Sequence, residues 1–173
     1  MSFHRQGDER SAGIIRAEQP GATGLVAIAR ELAKRAPAWP GTTRQGRRRW
    51  DLMAASDAFE AWAITWEPGG AIELHDHGGS SGAVAVVAGE LLETSVVTRA
   101  SGEVALWSST IASGRCTSFG GHHVHDIVNV GAAPAVSVHV YAPRLSSMTY
   151  YRMCEGVLEA GATVRYQLGE AVA

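Results

Sequence analysis

Short runs of strand-forming residues, separated by turns rich in glycine, follow one another through most of this 173-residue chain. The predicted strands are Arg47–Met53, Phe59–Trp66, Ile72–His77, Ala83–Ala88, Leu91–Thr98, Glu103–Ser108, Arg115–Phe119, His125–Val130, Ala135–Ala142, Met148–Arg152 and Val164–Leu168. Many short, evenly spaced strands are typical of a β-sandwich or β-barrel rather than of a fold that alternates strands with helices. This spacing limits the possible folds more than any other feature, and it predicts an all-β domain.

One helix is predicted ahead of the strands. Leu25, Ile28, Ala29 and Leu32 recur at helical spacing, and Pro37 ends the pattern. We therefore expect a short N-terminal helical segment over residues 24–36. Residues 1–20 show no such pattern and are predicted to form a tail. Residues 21–173 have the length of a single domain and are too few for two ordinary ones.

Composition and charge exclude several classes of partner. The formal net charge is −2 and no basic stripe is present, so nothing indicates binding to nucleic acid. The sequence contains no apolar run of about eighteen residues and no apolar leader segment, so we expect neither a membrane span nor a signal peptide. Cys116 and Cys154 are the only cysteines, which fits a reducing compartment. We expect a cytoplasmic protein that is a monomer or a weak homo-oligomer.

His75 and His77 form a His-x-His pair at the end of a predicted strand. Side chains one residue apart on a strand lie on the same face, so both imidazoles can reach one metal ion. Imidazole binds Zn, Cu, Fe and Ni, so the pair by itself leaves the metal open. Such a pair also arises by chance, and its meaning depends on the surrounding sequence.

The spacing around this pair resembles the first motif of the cupin superfamily. Five residues separate Gly69 from His75, and His77 is followed by four residues and Gly82, then by six residues and Gly89. Every interval of that motif is kept. Gly82, however, stands where most cupins have a glutamate ligand, so the resemblance implies a metal site without a carboxylate.

A second cupin motif is similar to the segment that begins at Gly114. Its proline and glycine positions are filled by Gly120 and His122, while His125 and Asn129 match its histidine and asparagine. The two matches together imply a cupin β-barrel, a small jelly-roll barrel, in which His125 is the third metal ligand. Three neutral imidazoles would leave the full charge of a divalent ion for an anionic ligand such as a thiolate.

Ser137, His139 and Tyr141 alternate with valines along one predicted strand and therefore share a face. Polar groups on the inward face of an apolar strand need hydrogen-bond partners. A chain in which Ser137 orients His139, and His139 holds the Tyr141 hydroxyl toward the metal, would provide them. The alternative is a buried polar network without a chemical role.

Together these residues resemble the cysteine dioxygenase family of thiol dioxygenases, in particular its short bacterial members. The likeness lies in residues 75–90 and 125–143, and Trp66 matches a tryptophan of the family's pocket. It implies that His75, His77 and His125 hold Fe(II), beside a triad of Ser137, His139 and Tyr141. The implied reaction is the oxidation of a small thiol, cysteine or a cysteine-like molecule, by O2 to its sulfinic acid.

Two departures concern the substrate pocket, which we expect Arg49, Trp66 and Gly82 to line. Animal members carry a cysteine cross-linked to the catalytic tyrosine at the position of Gly82, so Tyr141 is expected to be unmodified here. The substrate carboxylate is held in the family by an arginine, and counting back from Trp66 assigns this role to Arg49. Because strand faces alternate, an exposed basic cluster at residues 47–49 is the alternative, and Arg144 is a second candidate cation.

Several other functions stay open at this point. The substrate could be another thiol, such as 3-mercaptopropionate, mercaptosuccinate, cysteamine or an ergothioneine-like molecule. The chain could also be a non-catalytic cupin that binds a metal. A cupin that oxidises or isomerises a carbon substrate is disfavoured by the spacing of Ser137, His139 and Tyr141.

Overall fold

The computed structural model describes residues 19–36, 43–45 and 47–166, and the chain there forms one α-helix and twelve strands. The elements are α1 Ala22–Ala33, β1 Thr43–Gln45, β2 Arg48–Ala55, β3 Glu60–Trp66, β4 Ala71–His75, β5 Ser81–Ala88, β6 Glu90–Thr98, β7 Val104–Ala112, β8 Cys116–Phe119, β9 His125–Val128, β10 Ala135–Ala142, β11 Ser147–Cys154 and β12 Val157–Arg165. The strands form two antiparallel sheets of six, in the orders β1-β2-β3-β10-β5-β8 and β12-β11-β4-β9-β6-β7.

The inner faces of the two sheets share one apolar core. Trp50, Trp62 and Val84 enter it from the first sheet, while Ile72 and Ile127 enter it from the second. Because alternate residues of each strand point inward, the same face that supplies these side chains also carries the polar residues of the candidate site. The site is therefore built inside the core between the sheets.

The helix covers the outer face of the first sheet. Leu25, Ala29 and Leu32 are buried against small residues of the central strands, among them Ala83 and Val138. Strands β3, β5 and β10 are consequently buried on both faces, which explains their nearly continuous apolar sequences. The predicted helical segment is confirmed, although α1 begins two residues earlier and ends three residues earlier than residues 24–36.

Most of the predicted strands overlap an observed one, with differences at their ends. The predicted strand Ile72–His77 ends at His75, so His77 lies just beyond β4. The last predicted strand, Val164–Leu168, is only the final part of the longer β12, and residues 167 and 168 lie outside the described residues. A hairpin joins β11 to β12 through Glu155 and Gly156, both with positive φ (48° and 80°), a two-residue turn that the sequence analysis missed.

Three further predictions concern the N-terminal tail, the two cysteines and membrane spans. Residues 1–18 of the predicted tail lie outside the described residues. Cys116 and Cys154 are both free thiols. Within the described residues, no helix has the length and apolar character needed to cross a membrane.

The packing of α1 can be tested with Leu25→Ala, because Leu25 is fully buried on the face of the helix that packs against the sheet. Removing a buried leucine side chain should lower the free energy of unfolding by about 2–5 kcal/mol. The matched control is Thr23→Ala, an exposed position of the same helix, which should change it by about 0.5 kcal/mol or less. Urea denaturation measures both, and equal effects of the two variants would contradict this packing.

Candidate metal centre

His75, His77 and His125 meet in the core as a nearly equilateral triangle. Their ring centroids lie 4.8, 4.9 and 5.0 Å apart, and each residue is at most 2% exposed. One ring nitrogen from each residue lies within 4.8 Å of the others, which is the spacing of a group that could hold one metal ion. His75 and His125 are direct partners across β4 and β9, while His77 reaches the same point from just beyond the end of β4.

Hydrogen bonds orient two of these three imidazoles. Nδ1 of His75 donates to the carbonyl oxygen of Glu73 at 2.7 Å, and Nδ1 of His125 donates to Oε1 of Glu93 at 2.6 Å. Both acceptors lack a hydrogen to donate, so each Nδ1 must carry one, and burial keeps each ring neutral by lowering the pKa of both histidines. Their Nε2 atoms therefore bear free lone pairs, as metal ligands require.

His77 shows most directly that a metal ion fits this site. Its ring is 1% exposed and contacts the rings of both Phe119 and Tyr141, with centroid distances of 4.6 and 5.3 Å. Neither ring nitrogen of His77 has a hydrogen-bond partner in the described part of the chain. Burial and the neighbouring His75 lower its pKa, so the ring stays neutral. A buried imidazole without a partner is costly, and coordination of a cation would satisfy the unprotonated one of its two nitrogens.

Asp76 anchors the chain between the two histidines of the pair. Its Oδ1 accepts from the backbone N–H groups of Gly78 (3.1 Å) and Thr149 (3.0 Å), and its Oδ2 accepts from the Tyr151 hydroxyl at 2.8 Å. Gly78 has φ of 58°, and a Cβ there would lie 2.7 Å from the carbonyl oxygen of Ser147. These constraints hold His77 against the site although it lies outside the strand.

The ring of Phe119 fills the space beside Gly82. Gly82 is paired with Phe119 on β8 and with Tyr141 on β10, and a Cβ at residue 82 would overlap Cζ of the phenylalanine. The expectation that Gly82 lines the substrate pocket is therefore corrected: the aromatic ring covers it and packs against His77 instead. Phe119 thus occupies the place into which a side chain at residue 82 would project.

A cavity opens beside the three histidines. It is lined by Arg48, Trp62, Ile64, Trp66, Ile72, His75, His125, Ile127, His139, Tyr141 and Met148. Most of these side chains are apolar, and the polar ones converge from both sheets. Concave apolar sites with a few convergent polar groups are typical of small-molecule binding.

The structure corrects which arginine faces this cavity. Arg49, the predicted one, forms an ion pair with Glu67 at 2.8 Å and is 38% exposed. Arg48 is only 9% exposed, and its guanidinium carbon lies 5.7 and 5.6 Å from the ring centroids of Trp50 and Trp66. Because alternate residues of β2 share a face, the burial of Trp50 turns Arg48 inward and Arg49 outward.

Ser137, His139 and Tyr141 do lie together on the inner face of β10, beside Trp66. The indole Nε1 of Trp66 is 2.8 Å from Ser137 Oγ, which is 2.9 Å from His139 Nε2, and His139 Nδ1 is 3.2 Å from the Tyr141 hydroxyl. Burial lowers the pKa of His139 to about 3 and raises that of Tyr141 well above its usual value. At neutral pH the imidazole is therefore uncharged and the phenol keeps its proton.

Glu93 is a part of the site that sequence reasoning missed. It lies on β6, is 7% exposed, and its Oε1 also lies 3.3 Å from Nε2 of His123. Hydrogen bonds from His123 and His125 outweigh the effect of burial and lower the pKa of Glu93 to about 2. His123 itself stacks on Phe119, with a centroid distance of 5.1 Å.

The remaining candidates have structural surroundings. Asn129 is buried, donates to the carbonyl oxygens of Trp66 and Ala133, and so braces the turn before β10. Arg144 lies 3.6 Å from a carboxylate oxygen of Glu60. Neither residue lines the cavity beside the histidines.

Replacing Glu93 by Gln should weaken metal binding while keeping the fold, because the neutral amide is a poorer acceptor for Nδ1–H of His125. Loss of such a carboxylate partner lowers metal affinity about 10–100-fold. Glu90→Gln, an exposed position on the same strand, is the matched control and should leave affinity unchanged. Competition with a chromogenic chelator measures both, and equal affinities of Glu93→Gln and wild type would contradict this role.

The fold of this chain resembles the folds of several solved structures. Oxalate oxidase in complex with the substrate analogue glycolate matches at a TM-score of 0.50 and 20% identity, over 58% of this chain and 53% of that one. KdgF from Halomonas sp. matches at 0.50 and 16% identity, over 60% and 84%. The Cnp3 cupin domain of Schizosaccharomyces pombe matches at 0.50 and 10% identity, over 60% and 69%. These likenesses show the fold alone and confirm the predicted cupin β-barrel.

The present chain spans about half the length of the oxalate oxidase chain that it matches. Comparison with protein families gives a more specific result than comparison of folds. The family model of cysteine dioxygenase type I matches residues 27–153, about three quarters of the chain. That range contains the three histidines, the triad, Trp66 and Arg48. The chain therefore belongs to the cysteine dioxygenase type I family.

Proposed function

We propose that this protein is an Fe(II)-dependent thiol dioxygenase that oxidises a small thiol bearing a carboxylate, with cysteine as the first candidate, to its sulfinic acid. The observation that carries the proposal is a buried arginine, Arg48, which has no acidic partner among the described residues and faces the same cavity as two of the three histidines. The overall reaction joins one thiol and one O2: both oxygen atoms bond to sulfur, which loses four electrons as O2 gains them.

The donor set supports a metal with open positions. His75, His77 and His125 are all neutral, so a divalent ion held by their nitrogens keeps its full charge and favours an anionic ligand such as a thiolate. When bound, Fe(II) would supply a common contact for thiolate and O2 and a path for electrons between them. The chain's own residues would position the substrate and exclude water.

Arg48 supports a carboxylate on that substrate. Among the described residues it forms no ion pair, and its guanidinium packs on the rings of Trp50 and Trp66. Burial lowers its pKa, yet a guanidinium remains charged at neutral pH. A buried cation without a counter-ion is costly, so an incoming carboxylate would gain a charge-assisted, bidentate hydrogen bond there.

The cavity walls support a small substrate. Trp62, Ile64, Ile72, Ile127 and Met148 surround the polar groups, leaving an apolar enclosure in which electrostatic contacts are strong. Tyr141 lines the same cavity and keeps its proton, so its hydroxyl would donate a hydrogen bond to an oxygen atom of the substrates. Holding both reactants in one orientation is worth several kcal/mol of the activation barrier.

A second substrate, 3-mercaptopropionate, is favoured by one further observation. No carboxylate lines the cavity within the ranges that the structure describes, so an ammonium group such as that of cysteine would find no acidic side chain there. A thiol with a carboxylate and no amine would satisfy Arg48 equally well. Cysteamine, which has no carboxylate, would leave Arg48 unpaired.

The activity is tested by loading the protein with Fe(II) under anaerobic conditions and then adding O2 with cysteine, 3-mercaptopropionate, mercaptosuccinate or cysteamine. We expect equimolar consumption of O2 and formation of the sulfinic acid, measured with an oxygen electrode and by mass spectrometry. If the protein binds iron but none of these thiols is turned over, the proposal fails and a non-catalytic metal-binding cupin remains.

The substrate class is tested by Arg48→Gln, with Arg49→Gln as the matched control from the neighbouring position. A hydrogen bond to a charged group contributes about 1.5–3 kcal/mol, so Arg48→Gln should lower kcat/KM for carboxylate-bearing thiols roughly 10–150-fold. Arg49→Gln removes only a partly exposed ion pair and should change it about twofold or less. Equal losses in both variants, or a loss with cysteamine as large as with cysteine, would contradict carboxylate binding by Arg48.

A further inference from the structure

We infer that Trp66 sets the direction of the hydrogen bonds along Ser137, His139 and Tyr141, so that the Tyr141 hydroxyl is a donor toward the cavity. Trp66 is thus a positioning residue that acts through Ser137 and His139. The four side chains form one continuous chain with contacts of 2.8, 2.9 and 3.2 Å. Each of them is at most 5% exposed, so solvent does not compete for these bonds.

The direction of the hydrogen bonds is set first by the indole of Trp66. Its N–H group can only donate, so Ser137 Oγ must accept the hydrogen bond from Trp66. The hydroxyl hydrogen of Ser137 then points away from the indole. Within the described ranges, Nε2 of His139 is the one other hydrogen-bond partner that this hydroxyl has.

Two arrangements are possible for His139, and they differ in which hydroxyl hydrogen is left without a partner among these side chains. If Nε2 carried the ring hydrogen, Ser137 would accept two hydrogen bonds and its own buried hydrogen would have no acceptor. If Nε2 is unprotonated, Ser137 donates to it, and the hydrogen left over is that of Tyr141, which lines the cavity, where a water or a bound molecule can accept it. The hydrogen of the neutral His139 ring therefore lies on Nδ1, which donates to the oxygen of Tyr141.

This tautomer of His139 determines whether the Tyr141 hydroxyl acts as a donor or as an acceptor toward the cavity that it lines. Its oxygen is occupied as an acceptor by His139, and its own hydrogen is free to point toward a bound molecule. A phenol keeps its hydrogen at neutral pH, so this hydrogen is retained. A donor at this place suits an oxygen atom that gains negative charge, whereas the opposite direction would present only lone pairs and repel it. This last step rests on the proposed dioxygenase function, but the assignment of the hydrogens does not.

The test is the tautomer of His139, read from ¹⁵N chemical shifts in long-range ¹H–¹⁵N NMR spectra of the full chain. The spectra are recorded without thiol, both without metal and with Zn²⁺ as a diamagnetic ion. The signals are assigned by their loss in His139→Gln. We expect a protonated Nδ1 and an unprotonated Nε2 in the wild type. A protonated Nε2 would overturn the inference, whether or not the protein proves to oxidise thiols.

The role of Trp66 is tested by Trp66→Phe, which keeps the ring and removes the donor. Trp62→Phe is the matched control, because Trp62 lies on the same strand and lines the same cavity, yet its indole N–H has no acceptor in the described chain. We expect Trp66→Phe to let the Ser137 hydroxyl turn and to move both ¹⁵N shifts of His139 toward intermediate values. Trp62→Phe should leave them as in the wild type. Unchanged shifts in Trp66→Phe, or equal changes in both variants, would overturn the role of Trp66.

Discussion

The register between β4 and β9 is the constraint on which the site depends. It places His75 directly opposite His125, so that two imidazoles face one point in the core from two strands. A slip of one residue in either strand would turn one ring to the other face of the sheet. With this pair fixed, His77 needs only the short turn beyond β4, anchored by Asp76, to complete the triangle.

The net charge of the site follows from which of its groups are buried and which are already paired. The histidines are neutral because they are buried, and the buried acid beside them, Glu93, is occupied by His125 and His123 on the side away from the free nitrogen. Arg48 adds a cation to the cavity. A metal ion would make the cavity more positive still, and an anionic substrate is the natural counter-charge.

The sequence predicted those features that depend on local periodicity and missed those that depend on the packing of distant strands. Alternation along one strand was enough to place Ser137, His139 and Tyr141 on one face, and the structure has them there. Arg49 was predicted from the sequence to lie at the cavity, whereas the structure has Arg48 there. Counting back from Trp66 did not take into account that Trp50 is buried, which turns alternate residues of β2, Arg48 among them, toward the core. The contact of Glu93 with His125 could not be predicted, because it arises from the pairing of β6 with β9 and leaves no spacing signal.

The central claim is that three neutral histidines, and no carboxylate, hold one metal ion, with His75 and His125 binding it through Nε2. It is tested most directly by titrating the metal-free protein with Zn²⁺ and following the ¹⁵N signals of every histidine ring. The account predicts one ion per chain, with the Nε2 signals of His75 and His125 and one ring-nitrogen signal of His77 shifting together while Nδ1 of His75 and His125 stays protonated. Binding that instead shifts His123 and leaves His77 unchanged, as an ion at the neighbouring cluster of Glu93, His123 and His125 would produce, would contradict it.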